Sequence, residues 1–117
     1  MRLHEAINAA DRMRPNSVGE PDKISAIYRL ERDFAEMMEV DPPEWDLDEE
    51  DPELLIAAPH DQVYPVYLLP FIDIMQEEID KYQADSVASN QMLAEVKSAY
   101  RRGHRFTRSE ERRVGKE

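Results

Sequence analysis

The stretch from Glu53 to Tyr82, read as ELLIAAPHDQVYPVYLLPFIDIMQEEIDKY, limits what this chain can fold into more than any other, because most of the bulky apolar residues and three of the five tyrosines fall within it. Val63, Tyr64, Val66, Tyr67, Leu68, Leu69, Phe71, Ile72, Ile74 and Met75 do not trace a narrow stripe; on a helix they are apolar nearly all round. Such a helix needs neighbours on most of its sides. The rest of the chain is therefore expected to cover it, and nothing inside it has the pattern of a catalytic motif.

The covering elements read as helices. Leu3, Ala6, Ile7, Ala10 and Met13 recur at helical spacing, so residues 3 to 13 are predicted to form a short amphipathic helix, stopped by Pro15, that acts as a lid and not as core. Pro15, Asn16, Ser17 and Gly19 make a turn, after which Pro21 suits a first helical position and Glu20 and Asp22 complement the positive end of the helix dipole. The second helix is predicted to run to about Val40 and to bury Ile24, Ile27, Tyr28, Phe34, Ala35 and Met38, with Arg29, Arg32, Asp33 and Glu36 placed for solvent and local ion pairs. Asp41-Pro42-Pro43 then ends it.

Residues 41 to 59 hold four of the eight prolines, and between Asp41 and Glu53 there are eight acids and no base, a local charge of −8. Repulsion and proline stiffness predict an extended segment, anchored by Trp45 and by Leu54-Leu55-Ile56. Asp61 is placed to cap a third helix, about Gln62 to Tyr82, with Tyr67, Phe71 and Ile74 as its core-facing stripe and a kink at Pro70. After Tyr82, the polar stretch Gln83 to Ser86 offers a turn with Asp85 or Ser86 as a new cap, although nothing in it forbids continuous helix. Ala88, Met92, Val96, Ala99 and Tyr100 trace a fourth helix ending near Gly103. No strand-like alternation or internal repeat is present. The expected fold is all-α: one domain over residues 1–106, a small bundle of about four helices with a long acidic, proline-containing loop between the second and third.

Charge and composition narrow the function. A formal net charge of −11 argues against coating nucleic acid or lying on an anionic membrane, and favours a protein partner. Without cysteine there is no disulfide frame, thiolate nucleophile or cysteine zinc site, which fits a reducing compartment. The longest apolar run, Val63 to Met75, is short for a bilayer and contains Asp73 and two prolines, and the N-terminus lacks a signal core, so a soluble protein is expected. Asp46, Asp48 and Glu50 have calcium-loop spacing, but Asp51 stands where glycine is required and Ala57 where the bidentate carboxylate should be, so a solvated acidic loop is the better reading. His4, His60 and His104 form no metal-binding pair, and Asp73 has no paired base; no cofactor, metal or enzymatic reaction is expected. From Arg101 to Glu117 seven bases face three acids, a balance of +4. The candidate contact residues are therefore Asp46, Asp48, Glu49, Glu50 and Asp51 on the acidic loop, and Arg101 and Arg102 at the basic end.

Glu53-Leu54-Leu55, then Pro59, Asp61, Tyr64, Tyr67-Leu68, Ile72-Asp73, Glu78-Ile79-Asp80 and Tyr82, resemble the small head–tail connector (head-completion adaptor) proteins of long-tailed bacteriophages and prophages. Upstream, Glu5-Ala6-Ile7, Asp11, Pro15-Asn16, Lys23-Ile24 and Leu30 are similar to that family's N-terminal half, and Asn90, Tyr100, Arg102 and His104 to its last helix. The match covers about residues 3 to 104 and is carried by an ordered, nearly gapless set of packing and turn residues. Ala26 departs from a common aromatic, Glu77 from a common glycine, and Pro65 and Pro70 from common helix formers. The resemblance implies a helical, non-enzymatic subunit that forms a homo-oligomeric ring under the portal protein. That ring would extend the channel through which DNA passes and would carry the stopper or tail-completion protein. The expected location is the virion at the head–tail junction, and the bacterial host cytoplasm before assembly. Residues 107–117 have no counterpart in the family and read as vector-derived sequence. A competing expectation is a small acidic regulatory module that docks a host protein, as a DNA mimic.

Overall fold

The computed structural model of the protein describes residues 1–103; His104 and the tail from Thr107, singled out above, lie outside the described residues. Four helices make up the fold: α1 (Leu3–Met13), α2 (Glu20–Met38), α3 (Val63–Met75), preceded by a single 3-10 turn (His60–Gln62), and α4 (Ile79–Arg101). The expected all-α bundle is what forms. The apolar α3 packs against α1, α2 and α4, most extensively α4, as its lack of a polar face requires.

Leu3, Ala6, Ile7 and Ala10 are buried and belong to the same hydrophobic cluster as Phe34, Tyr64, Leu68 and Val96. The first helix is thus part of the core and no mere lid; Met13 alone of its apolar series is exposed. On α2, Ile27, Phe34, Ala35 and Met38 are buried as expected, while Ile24 and Tyr28 are half-buried and Ala26 and Leu30 join the core. The turn between α1 and α2 is held by Asn16, which donates to the Asp11 carboxylate at 2.9 Å and accepts the Val18 N–H at 3.0 Å.

The third helix is shorter than expected. It continues through Pro70, which sits in its interior, and stops at Met75. Glu77 then adopts a left-handed conformation at φ 61°. The Glu78 N–H bonds back to the Asp73 carbonyl at 2.9 Å and the Glu77 N–H to that of Ile74 at 3.2 Å, the two bonds of a Schellman motif. The turn expected at residues 83–86 therefore falls at residues 76–78, and Tyr82, Asp85 and Ser86 belong to α4, which is unbroken. Neither Asp85 nor Ser86 caps a helix. A connection this short makes α3 and α4 antiparallel neighbours. The end of α2 uses the same device: Glu39 is left-handed at φ 57°, the Val40 N–H reaches the Ala35 carbonyl at 3.0 Å, and the helix stops ahead of Pro42.

The loop between α2 and α3 is irregular but tied down at both ends. Trp45 meets Tyr28 edge-on at 5.0 Å, and the Tyr28 hydroxyl donates to the Pro43 carbonyl at 2.9 Å. At the far end, the Leu3 N–H donates to the Pro52 carbonyl and the Leu54 N–H to the Met1 carbonyl, each at 2.9 Å. Leu54 and Ile56 are buried, as their anchor role predicts. Asp61 does not cap α3 with its side chain; it lies in the 3-10 turn with its carboxylate 3.7 Å from the Met1 amino group.

Candidate partner-binding surfaces

The acidic segment divides into two parts with different roles. Asp46, Asp48, Glu49 and Glu50 are exposed and sit on a tight turn, not on an extended strand: the Asp46 carbonyl accepts the N–H groups of Glu49 and Glu50 at 3.2 and 3.1 Å, and its carboxylate accepts that of Asp48 at 3.3 Å. Among the described residues, none of these four carboxylates has a cationic partner. Leu47, 41% exposed, stands among them.

Asp51 belongs to the scaffold. Its carboxylate accepts the His4 backbone N–H at 3.0 Å and lies 2.8 Å from His4 Nδ1, so it caps the first turn of α1, where Arg2 supplies no oxygen of its own. His4 Nε2 also lies 2.8 Å from a Glu20 oxygen, linking the loop, α1 and α2. The ring's bond to Asp51, reinforced by the charges of Asp51 and Glu20, raises the His4 pKa above its ordinary value. Partial burial pushes Asp51 upward, but the bonds from the His4 ring and backbone outweigh it and hold the carboxyl below its ordinary range.

Arg101 and Arg102 are exposed at the end of α4, where Arg102 donates to the Ser98 hydroxyl at 2.9 Å. No ion pair or hydrogen bond among the described residues joins them to the acidic turn.

Sequence spacing chose the wrong face of α3. The buried residues are Val63, Tyr64, Pro65, Leu68, Leu69, Ile72 and Asp73. Tyr67 and Phe71 are half-buried and Ile74 is 45% exposed, so this stripe is not the core-facing one. It floors a groove of about 360 Å³ between α2 and α4, walled by Arg29 on one side and by Tyr82, Asn90 and Leu93 on the other. Tyr67 also lines the two adjoining concavities toward Arg32 and toward Lys97. The residues that carry the family resemblance thus separate: Leu54, Tyr64, Leu68, Ile72 and Asp73 lie in the core, Tyr67, Tyr82 and Asn90 in the groove. Leu55 and Tyr100 are partly buried against the core, Pro15 is exposed in the first turn, and Pro59 follows a cis peptide bond ahead of the 3-10 turn.

Three buried polar groups, none of them expected as core, set the frame for these surfaces. Glu31 is fully buried; its carboxylate accepts the Tyr64 hydroxyl and, at 2.9 Å, the Leu55 N–H. The Tyr64 oxygen in turn accepts the Ile56 N–H at 2.9 Å, so the loop backbone is satisfied from inside the bundle. Desolvation raises the Glu31 pKa from 4.5 to about 7, against the bonds from Tyr64 and Leu55 that lower it. Burial likewise raises Tyr64, assisted by the nearby Glu31 charge.

Arg14 forks onto Asp85 with bonds of 3.1 and 3.0 Å, and its Nε lies 3.5 Å from the buried Asp73 carboxylate, which accepts no hydrogen bond. Burial and the neighbouring Asp85 raise the Asp73 pKa, with Arg14 opposing. The Arg14 guanidinium, just past the end of α1, thus draws together Asp73 of α3 and Asp85 of α4. Lys23, also buried, pairs with Asp11 at 2.8 Å. Pairing is the general condition for such burial, and the signal available in sequence was only the helical phase that puts Lys23 and Glu31 beside Ile27 and Phe34.

Among the described residues no group of three or more His, Cys, Asp or Glu side chains could hold a metal ion, and no helix is long and apolar enough to cross a membrane. No family model, curated protein or solved structure matches the chain.

Proposed function

We propose that the chain is a head–tail connector subunit: a structural protein that assembles as a ring beneath a phage portal, extends the DNA channel and carries the stopper or tail-completion protein. The observation that carries the reading is the place taken by the resembling residues. Leu54, Tyr64, Leu68, Ile72 and Asp73 pack the centre of the bundle, as a family signature made of packing residues should. Glu77, where that family commonly has glycine, is the left-handed residue of the α3–α4 turn, the position at which glycine has a physical advantage. The carboxylates of the turn at Asp46 to Glu50, exposed and unpaired among the described residues, suit a contact with a neighbouring protein in such a ring.

The test is to mix the purified protein with the portal protein encoded beside it and image the product. The expected result is a ring of this subunit on one face of the portal. A protein that stays monomeric, ignores the portal and competes with DNA for a host protein would instead be the acidic mimic.

A further inference from the structure

We infer that the groove floored by Tyr67 and Phe71 receives the Asp46–Glu50 turn of a second copy of this chain, with Leu47 as the plug. The inference rests on the ring reading and names the contact between adjacent subunits.

Among the described residues, both halves of the contact lack a charged partner on the same molecule. The groove exposes aromatic and aliphatic surface where α2, α3 and α4 meet, and Arg29 is its one charged lining residue among those described. Arg32 lies one helical turn on, beside Tyr67, and neither arginine has an ion pair or side-chain hydrogen bond among the described residues. The turn presents the complement: Leu47 exposed at its tip, flanked by Asp46, Asp48, Glu49 and Glu50, none of them paired within the described residues. Its backbone bonds and the Trp45–Tyr28 contact shape it before it meets anything, so little ordering is lost on docking. Asp33 and Glu36 line the neighbouring stretch toward Val40, which directs the carboxylates to the Arg29 end. Because plug and groove are different patches, the contact is head-to-tail, and repeated with a rotation that closes it builds a ring rather than a two-fold dimer.

Charge exchange tests this on the full chain in the presence of the portal. Two variants, Arg29→Glu with Arg32→Glu and Asp48→Arg with Glu49→Arg, each set like charges against each other across every contact. Each is expected to keep the parent's thermal midpoint and to form rings on the portal at least about tenfold less readily. The two variants mixed, or all four changes in one chain, restore the opposite-charge pairing and should restore assembly. Full rings from either variant alone, or no recovery from the combined chain while it remains folded, would overturn the contact and leave the ring reading standing. Loss of portal binding in the arginine variant only, with the acidic variant assembling normally, would show that a portal segment and not the turn fills the groove. Failure of the parent itself to bind the portal is the separate result that removes the ring reading, and this contact with it.

Discussion

The Tyr64 hydroxyl donates to the Glu31 carboxylate at the centre of the bundle, joining α3 to α2, while the same oxygen accepts the Ile56 N–H from the loop that separates them in sequence. Removing that one oxygen strands two buried groups at once. Tyr64→Phe should lower stability by about 2 to 3 kcal/mol, near the top of the range for an unsatisfied buried donor or acceptor. Urea unfolding monitored by Trp45 fluorescence, the chain's one tryptophan, measures it; a loss below about 0.5 kcal/mol would mean that the loop is not held through this bond.

Stability should fall as the solution passes from mildly acidic to neutral. Below pH 4.5 Glu31 holds its proton in both states; above it the unfolded chain releases the proton first, and the folded chain keeps it until about pH 7. The interval is worth about 3 kcal/mol of unfolding free energy, lost progressively as pH rises and constant beyond it. Asp73 shifts in the same direction and steepens the fall, whereas the lowered Asp51 acts with opposite sign at more acidic pH. Unfolding midpoints measured from pH 4.5 to 8 should show this decline, and Glu31→Gln should make it shallower, leaving the parts due to Asp73 and to the raised His4.

Leu68 and Phe71 separate core from groove on one helix. Leu68 is fully buried, so Leu68→Ala should cost about 2 to 5 kcal/mol. Phe71 is half-buried at the groove floor, and Phe71→Ala should cost only about 1 to 2 kcal/mol while impairing assembly. Equal losses from the two, by chemical denaturation, would place Phe71 in the core after all.

Glu77→Gly should stabilise the fold by about 0.5 to 1 kcal/mol, because relief of a left-handed residue exceeds the entropy that glycine adds to the unfolded chain. A lower melting temperature for this variant would contradict the Schellman turn.

Asp51 and its acidic neighbours should respond differently to neutralisation. Asp51→Ala removes the acceptor that caps α1 and the His4 pair and should cost about 1 kcal/mol. Changing Asp46, Asp48, Glu49 and Glu50 to their amides should leave the melting temperature unchanged, since all four are exposed and unpaired among the described residues. An equal effect from both sets would erase the distinction drawn between scaffold and free turn.

What the sequence by itself determined follows from local rules. Apolar periodicity sets out α1 and α2, Pro15 and Pro42 bound them, and the absence of alternation excludes sheet. Composition alone marks α3 as the element the others must cover. Its rotational phase was not there to read, because a helix that is apolar on every side has no moment to point with; only packing against α1, α2 and α4 decided that Tyr64 and Leu68 face inward while Tyr67, Phe71 and Ile74 floor a groove. The site of its end was equally hidden, since Glu77 takes a conformation usually signalled by glycine. Glu31 and Asp51 look in sequence like any other acids. Their roles depend on Tyr64 and His4, partners 33 and 47 residues away, which only the tertiary fold brings within hydrogen-bonding distance.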